Sequence, residues 1–166
     1  MSSTPITDAV AAETFAQLLD AWAQLLLDEE LLLAVESGLS SDGKRQWLLR
    51  FAGEEKQFVA IWMTLRQRTV YVEIELMPPP EENVSEVLTI AMTKNFDLFP
   101  LHLAIGPDNG MYLVMRFPVG DASNGLFDEI SGAALRYVDE LFPTLMARGY
   151  ASAYRRRVQA RPKRSL

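Results

Sequence analysis

The sequence of 166 residues contains no cysteine and only one histidine, His102. The absence of thiols excludes disulfides, thiolate metal sites and cysteine nucleophiles. A lone histidine acts as a catalytic base only beside an acid or a nucleophile, and the residues around His102 offer no such partner. We therefore expect a packed or surface histidine, and we assign no catalytic, cofactor-binding or metal-binding residues.

Long apolar runs are also missing. Three consecutive acidic residues, 28–30, separate the leucine-rich stretches at 25–27 and 31–35. No run approaches the roughly 20 apolar residues that span a bilayer, and the first ten residues lack the basic and apolar regions of a signal peptide. We expect neither a membrane segment nor a secretory leader.

Basic side chains are scarce outside the C-terminal segment. The net charge is −6, and residues 155–166 hold six basic side chains and no acid, which leaves ten basic against 22 acidic side chains elsewhere. The acidic body argues against a general nucleic-acid surface. The tail either contacts nucleic acid or acidic lipid, or is a solvated terminus that helps solubility. Its basic residues are Arg155, Arg156, Arg157, Arg161, Lys163 and Arg164.

The clearest pattern is a strict alternation over residues 69–77, which predicts a strand with one buried face. Two further strands, 45–51 and 57–65, precede it and complete a meander. A two-residue loop at 67–68 places Leu65 opposite Val70 and brings every apolar residue of that hairpin to one side. An odd-length first loop adds Trp47, Leu49 and Phe51 to the same side.

Helical spacing of apolar residues predicts helices at 5–27, 81–95 and 126–142, the last ended or kinked by Pro143. Strands at 101–105 and 111–117 flank a turn at 106–110. Within the undecided segment 28–44, residues 31–35 either continue the first helix or form a short strand, and Ser37, Gly38 and residues 40–43 are typical of turns. The order α-β-β-β-α-β-β-α predicts an α+β fold, with one five-stranded, mainly antiparallel sheet and helices mostly on one face. A single domain spans residues 1–154, and 155–166 form a flexible tail.

The outer face of this sheet collects aromatic residues beside the carboxylates of Glu73 and Glu75. If the helices lie on the other face, these aromatics form an exposed interface; if helix ends cover them, they are ordinary core. An enzyme built on Glu73, Glu75 and His102 is a third hypothesis, although strand alternation alone explains the two acids.

Three stretches carry a family resemblance: GPDNG at 106–110, MYLVMR at 111–116 and YVDELFP at 137–143. With the element order, over about residues 5–150, they resemble the type III secretion chaperone fold and the related YbjN family. The resemblance implies a small, acidic, cytoplasmic homodimer without enzymatic activity or cofactor. It also implies binding of extended client polypeptide segments on apolar patches, and a subunit contact through the second helix and the following strand.

We therefore predict a non-enzymatic, chaperone-like homodimer. The predicted client-binding residues are Phe58, Trp62, Tyr71 and Met77, with Trp22 added if the first helix is not fully packed. The predicted dimer contacts are Val84, Leu88, Met92 and Leu101. The alternative is a regulatory protein that contacts nucleic acid through its basic tail.

Overall fold

The structure, a computed structural model, describes residues 5–160 as one sheet with helices around it. The helices are α1 (Pro5–Asp28), α2 (Val84–Asn95), α3 (Asn124–Gly149) and α4 (Ala151–Ala160), with a 3-10 turn at Val119–Asp121. The strands are β1 (Ala34–Leu39), β2 (Arg45–Ala52), β3 (Phe58–Leu65), β4 (Thr69–Met77), β5 (His102–Ile105) and β6 (Met111–Pro118). The predicted α+β fold is confirmed.

The sheet has six antiparallel strands in the order β1-β2-β3-β4-β6-β5, one strand more than predicted. The additional strand is β1, within the undecided segment 28–44. Ser37 and Gly38 read as turn residues in the sequence, but both lie in β1, where pairing with β2 overrides their turn preference. The next residues do form the turn, in which the Lys44 N–H donates to Ser40 Oγ.

The predicted hairpin registers are confirmed. Leu65 pairs with Val70, Met63 with Val72 and Ile61 with Ile74. In the first hairpin, Phe51 pairs with Val59, and Trp47, Leu49 and Phe51 are all buried on the inner face. One face of the sheet therefore supplies the core.

Helices α1 and α3 cover this inner face. Phe15 of α1 is buried, with ring centroids 5.3 Å from Trp47 and 6.1 Å from Phe127. The indole N–H groups of Trp22 and Trp47 donate to Asp128 and Asp20, each at 2.9 Å. These bonds satisfy the polar atoms of two nearly buried rings.

Helix α3 runs through Pro143 to Gly149, beyond the predicted bound at residue 142, so of the two effects predicted for Pro143 the helix end does not occur. Leu141 and Leu145 are both buried on the same side of the helix, before and after the proline. This packing offsets the backbone hydrogen bond that a proline removes. Helix α4 follows, so regular structure continues to Ala160, beyond the predicted start of the tail at residue 155.

None of the helices in the described part of the chain combines the length and the apolar character needed to cross a bilayer.

Candidate functional site

The outer face of the sheet is the first candidate surface. Phe58 and Trp62 are 47% and 37% exposed there, and Tyr71 is half-buried. The inner-face residues beside them in sequence, such as Val59 and Ile61, are 0–1% exposed. The helices therefore lie on the inner face, and Phe58 and Trp62 are exposed on the outer face.

Two neighbouring rows of side chains cross this outer face. The first, which we call the Trp62 row, follows direct strand pairing through four neighbouring pairs and contains Leu48, Trp62, Glu73, Val114 and His102. The second, the Tyr71 row, contains Gln46, Thr64, Tyr71 and Arg116. Leu48 is only 7% exposed. The Trp62 row is thus apolar at its β2–β3 end, and Glu73 lies at its centre.

Tyr71 lies between two cations. The guanidinium carbons of Arg66 and Arg116 are each 5.1 Å from the Tyr71 ring centroid. Burial raises the pKa of the Tyr71 hydroxyl, the Glu73 charge adds to the increase, and both arginines oppose it. The ring therefore stacks with both cations while it remains neutral.

Carboxylates occupy the part of the outer face beside this aromatic and arginine cluster. Burial raises the pKa of Glu73, repulsion from Asp108 adds to the increase, and attraction from Arg66 opposes it. The Tyr112 hydroxyl donates to Asp108 at 2.8 Å, and this bond raises the pKa of Tyr112 to about 12. The outer face therefore carries positive charge beside Tyr71 and negative charge at Glu73 and Asp108.

His102 and Glu73 lie in the Trp62 row with Val114 of β6 between them, so their backbones are about 10 Å apart, two strand spacings. Within the part of the chain that the structure describes, His102 forms no hydrogen bond or ion pair with Glu73 or Glu75. The structure therefore shows no acid–base pair that involves this histidine. Among the described residues, no group of three or more histidine, cysteine, aspartate or glutamate side chains is placed to hold a metal ion.

Met77 and Trp22 do not reach this surface. Met77 was assigned to the outer face by simple alternation, but the register shifts between Glu75 and Met77 and turns Met77 inward, where it is 0% exposed. Trp22 is 3% exposed, so the condition under which it was a candidate, an incompletely packed first helix, is not met.

A second candidate surface lies where α2 meets the edge strand β5. Val84 and Met92 are 47% and 71% exposed, and Leu88 is half-buried. Leu101 was predicted to join them, but it is fully buried because it faces inward with Leu103. A cavity of about 280 Å³ between helix and strand is lined by Leu88, Ala91, Met92, Leu103, Ala104, Ile105 and Met111.

Sequence reasoning missed three exposed apolar residues of this second surface: Phe96 at 91%, Phe99 at 70% and Ile105 at 55% exposure. We call the set Val84, Leu88, Met92, Phe96, Phe99 and Ile105 the α2–β5 surface. Two phenylalanines in the short linker between α2 and β5, Phe96 and Phe99, are the signal in the sequence that could have found this surface.

Side-chain hydrogen bonds hold the α2–β5 surface in place. Asn95 donates to the Leu103 carbonyl at 3.2 Å and accepts from the Leu103 N–H at 2.7 Å. The Tyr137 hydroxyl donates to the Phe99 carbonyl at 2.6 Å and accepts from the Phe99 N–H at 3.2 Å. The linker that carries the exposed phenylalanines is therefore fixed to both α2 and α3.

The basic segment is only partly described. Arg155 and Arg156 are exposed on α4. Hydrogen bonds from Ser152 lower the pKa of Glu82, and the attraction of these two arginines adds to the decrease. Arg157 belongs to the α4 backbone, whereas Arg161, Lys163 and Arg164 lie outside the described residues. Contact with nucleic acid stays a prediction.

Comparison with known proteins gives few relatives. No protein-family model matches the chain. Over 112 residues it is 24% identical to the uncharacterized protein ML2442 of Mycobacterium leprae (strain TN), across 68% of this chain and 61% of that protein. The chain thus spans about three fifths of the length of this relative.

Among solved structures, the chain is similar to the Yersinia pestis type III secretion chaperone SycH, which was crystallised in complex with a stable fragment of YscM2. The TM-score is 0.47 and the identity 13%, over 76% of this chain and 98% of that chain. Neither similarity brings an activity, a ligand or a partner to this chain.

Proposed function

We propose that the chain is a non-enzymatic, chaperone-like protein that binds segments of partner polypeptides on its outer sheet face and acts as a homodimer. The observation that carries the proposal is the exposure of Phe58 and Trp62, 47% and 37%, on a sheet face that the helices leave open. Exposed aromatic residues grouped on one face mark interaction sites.

The geometry of the face suits an extended segment. Its side chains stand in rows that follow strand pairing, and side chains two residues apart on one strand are about 6.8 Å apart. An extended polypeptide that lies along the strands projects every second side chain at the same interval. Apolar side chains of the segment then contact the exposed rings of Phe58 and Trp62, and polar ones reach the flanking charges.

The α2–β5 surface supports the homodimer. Val84, Leu88, Met92 and Phe96 follow one another at intervals of four residues, so they form one ridge along α2. A ridge of this kind packs against its own copy across a two-fold axis, and such isologous contacts are the commonest in soluble oligomers. The apolar cavity between α2 and β5 offers space for a side chain of the second copy.

Peptide binding is tested with an array of extended, fluorescently labelled synthetic peptides that cover apolar, acidic and basic compositions. Trp62→Ala should weaken binding of the peptides that the wild type retains by about tenfold or more, as expected for a central aromatic contact. Phe96→Ala is the matched control, because it removes an aromatic ring from the other surface. Equal binding by wild type and Trp62→Ala would refute the outer face as the site.

A further inference from the structure

Two arginines on the outer face have no carboxylate partner among the ion pairs of the described side chains. Arg66 follows the last residue of β3, and Arg116 lies on β6 directly opposite Tyr71. Each guanidinium carbon is 5.1 Å from the Tyr71 centroid, so the two are no more than about 10 Å apart. Both side chains are exposed.

The contact of Arg66 and Arg116 with one tyrosine ring is unusual in this chain. Outside residues 155–166 the chain carries ten basic against 22 acidic side chains, yet both arginines lie against Tyr71. Neither the Arg66 nor the Arg116 guanidinium donates a hydrogen bond to another described residue, so their N–H groups are available to a ligand. The charge beside them is Glu73, which is half-buried and whose pKa is raised by that burial.

We propose, on the basis of the peptide binding proposed above, that the outer face selects segments with an apolar and an acidic residue two positions apart. The apolar side chain contacts the exposed ring of Trp62, and the carboxylate accepts hydrogen bonds from Arg66 and Arg116 beside Tyr71. The partner is therefore an acidic, extended polypeptide segment.

The interval of two positions between the apolar and the acidic residue of the segment follows from the spacing of the Trp62 row and the Tyr71 row. Trp62 and Thr64 are two residues apart on β3, and Thr64 pairs with Tyr71. The Trp62 row and the Tyr71 row are therefore about 6.8 Å apart along the strands, which is the distance between same-side residues of an extended segment. An intervening residue of the segment points away from the sheet and is not selected.

The test uses short synthetic peptides with one leucine and one glutamate two positions apart, in an otherwise neutral polar sequence. Their partners carry glutamine in place of glutamate. In fluorescence anisotropy at low salt, the wild type should bind the glutamate peptide roughly five- to tenfold more tightly, because exposed charge-assisted hydrogen bonds contribute modestly. The preference should decrease as salt is added.

Replacing both arginines, Arg66→Gln with Arg116→Gln, should abolish the preference for the glutamate peptide over the glutamine peptide. The matched control is Arg136→Gln on α3, whose guanidinium carbon is 5.0 Å from the Tyr137 centroid. Arg136 is exposed and distant from the outer face, so this variant should keep the preference. Circular dichroism confirms that each variant is folded.

The outcomes separate this inference from the proposed function. If the wild type binds glutamate and glutamine peptides equally, the acid preference is refuted and peptide binding stands. If the double arginine variant retains the preference, the carboxylate is recognised elsewhere and the inference fails. If no peptide of any composition binds, both the inference and the proposed function are contradicted.

Discussion

Phe96 gives the sharpest test of the homodimer, because its side chain is 91% exposed at the end of α2. A phenylalanine buries roughly 200 Å² when fully covered, so a dimer that covers it removes about 180 Å² from water. At about 25 cal/mol per Å², this corresponds to at most about 4.5 kcal/mol per copy. Truncation of a central interface aromatic costs about 2–4 kcal/mol in practice.

A two-fold interface contains Phe96 twice, so Phe96→Ala should destabilise the dimer by at least about 4 kcal/mol, or about a thousandfold in Kd. Sedimentation equilibrium over a wide concentration range measures this change. The wild type should be dimeric at micromolar concentrations, and the variant should be monomeric. Thermal unfolding of the variant monomer should match that of wild-type protein diluted until it is monomeric, because surface substitutions rarely alter stability by more than about 0.5 kcal/mol.

Phe58→Ala is the control, since it makes the same chemical change on the outer sheet face, where Phe58 is 47% exposed. It should leave the dimer intact. A wild type that is monomeric at all concentrations would refute the dimer. If both variants dissociate it equally, the contact does not lie on the α2–β5 surface.

Two further predictions concern stability. Tyr137→Phe removes both hydrogen bonds to the backbone of Phe99 and should lower the free energy of unfolding, measured in urea titrations, by about 1–3 kcal/mol. An unchanged free energy of unfolding would mean that water replaces both bonds and would contradict this prediction. Glu73→Gln should stabilise the fold at neutral pH. Burial raises the pKa of Glu73 in the folded state, so the penalty for its charge appears as the pH rises above the ordinary glutamate pKa of 4.5 and is absent in acid. Urea titrations at pH 4 and pH 7 should therefore show a gain only at pH 7, and an equal effect at both would refute the assignment.

The sheet register could be predicted from the sequence because alternation and loop length act together. A shift of one residue in the β3–β4 hairpin would expose the whole apolar set of β4, so only the pairing of Leu65 with Val70 buries it. Burial of Trp47, Leu49 and Phe51 selects the register of the β2–β3 hairpin in the same way. In both hairpins the local alternation was enough, because only one register buries all the apolar side chains of that face.

Local patterns failed where long-range contacts decide the outcome. Met77 is buried because the bulge in β4 adapts this strand to β6, a strand more than 30 residues later in the chain. Strand β1 forms because it pairs with the free edge of β2, although Ser37 and Gly38 favour turns. The role of Phe96 and Phe99 depends on how the linker after α2 is fixed to Asn95 and Tyr137, and the sequence does not encode that placement in any short motif.

The two proposed surfaces use different parts of the molecule, and this separation has a functional consequence. The α2–β5 surface lies at one edge of the sheet, so a dimer formed there protects the short edge strand β5 from pairing with other chains. Phe58, Trp62 and Tyr71 lie on β3 and β4, at least one strand away from that edge, and stay accessible in each copy. A dimer then presents two equivalent outer faces, and a client with two suitable segments gains affinity through effective concentration without any new contact. Weak recognition of single segments is therefore compatible with firm binding of a long, extended client.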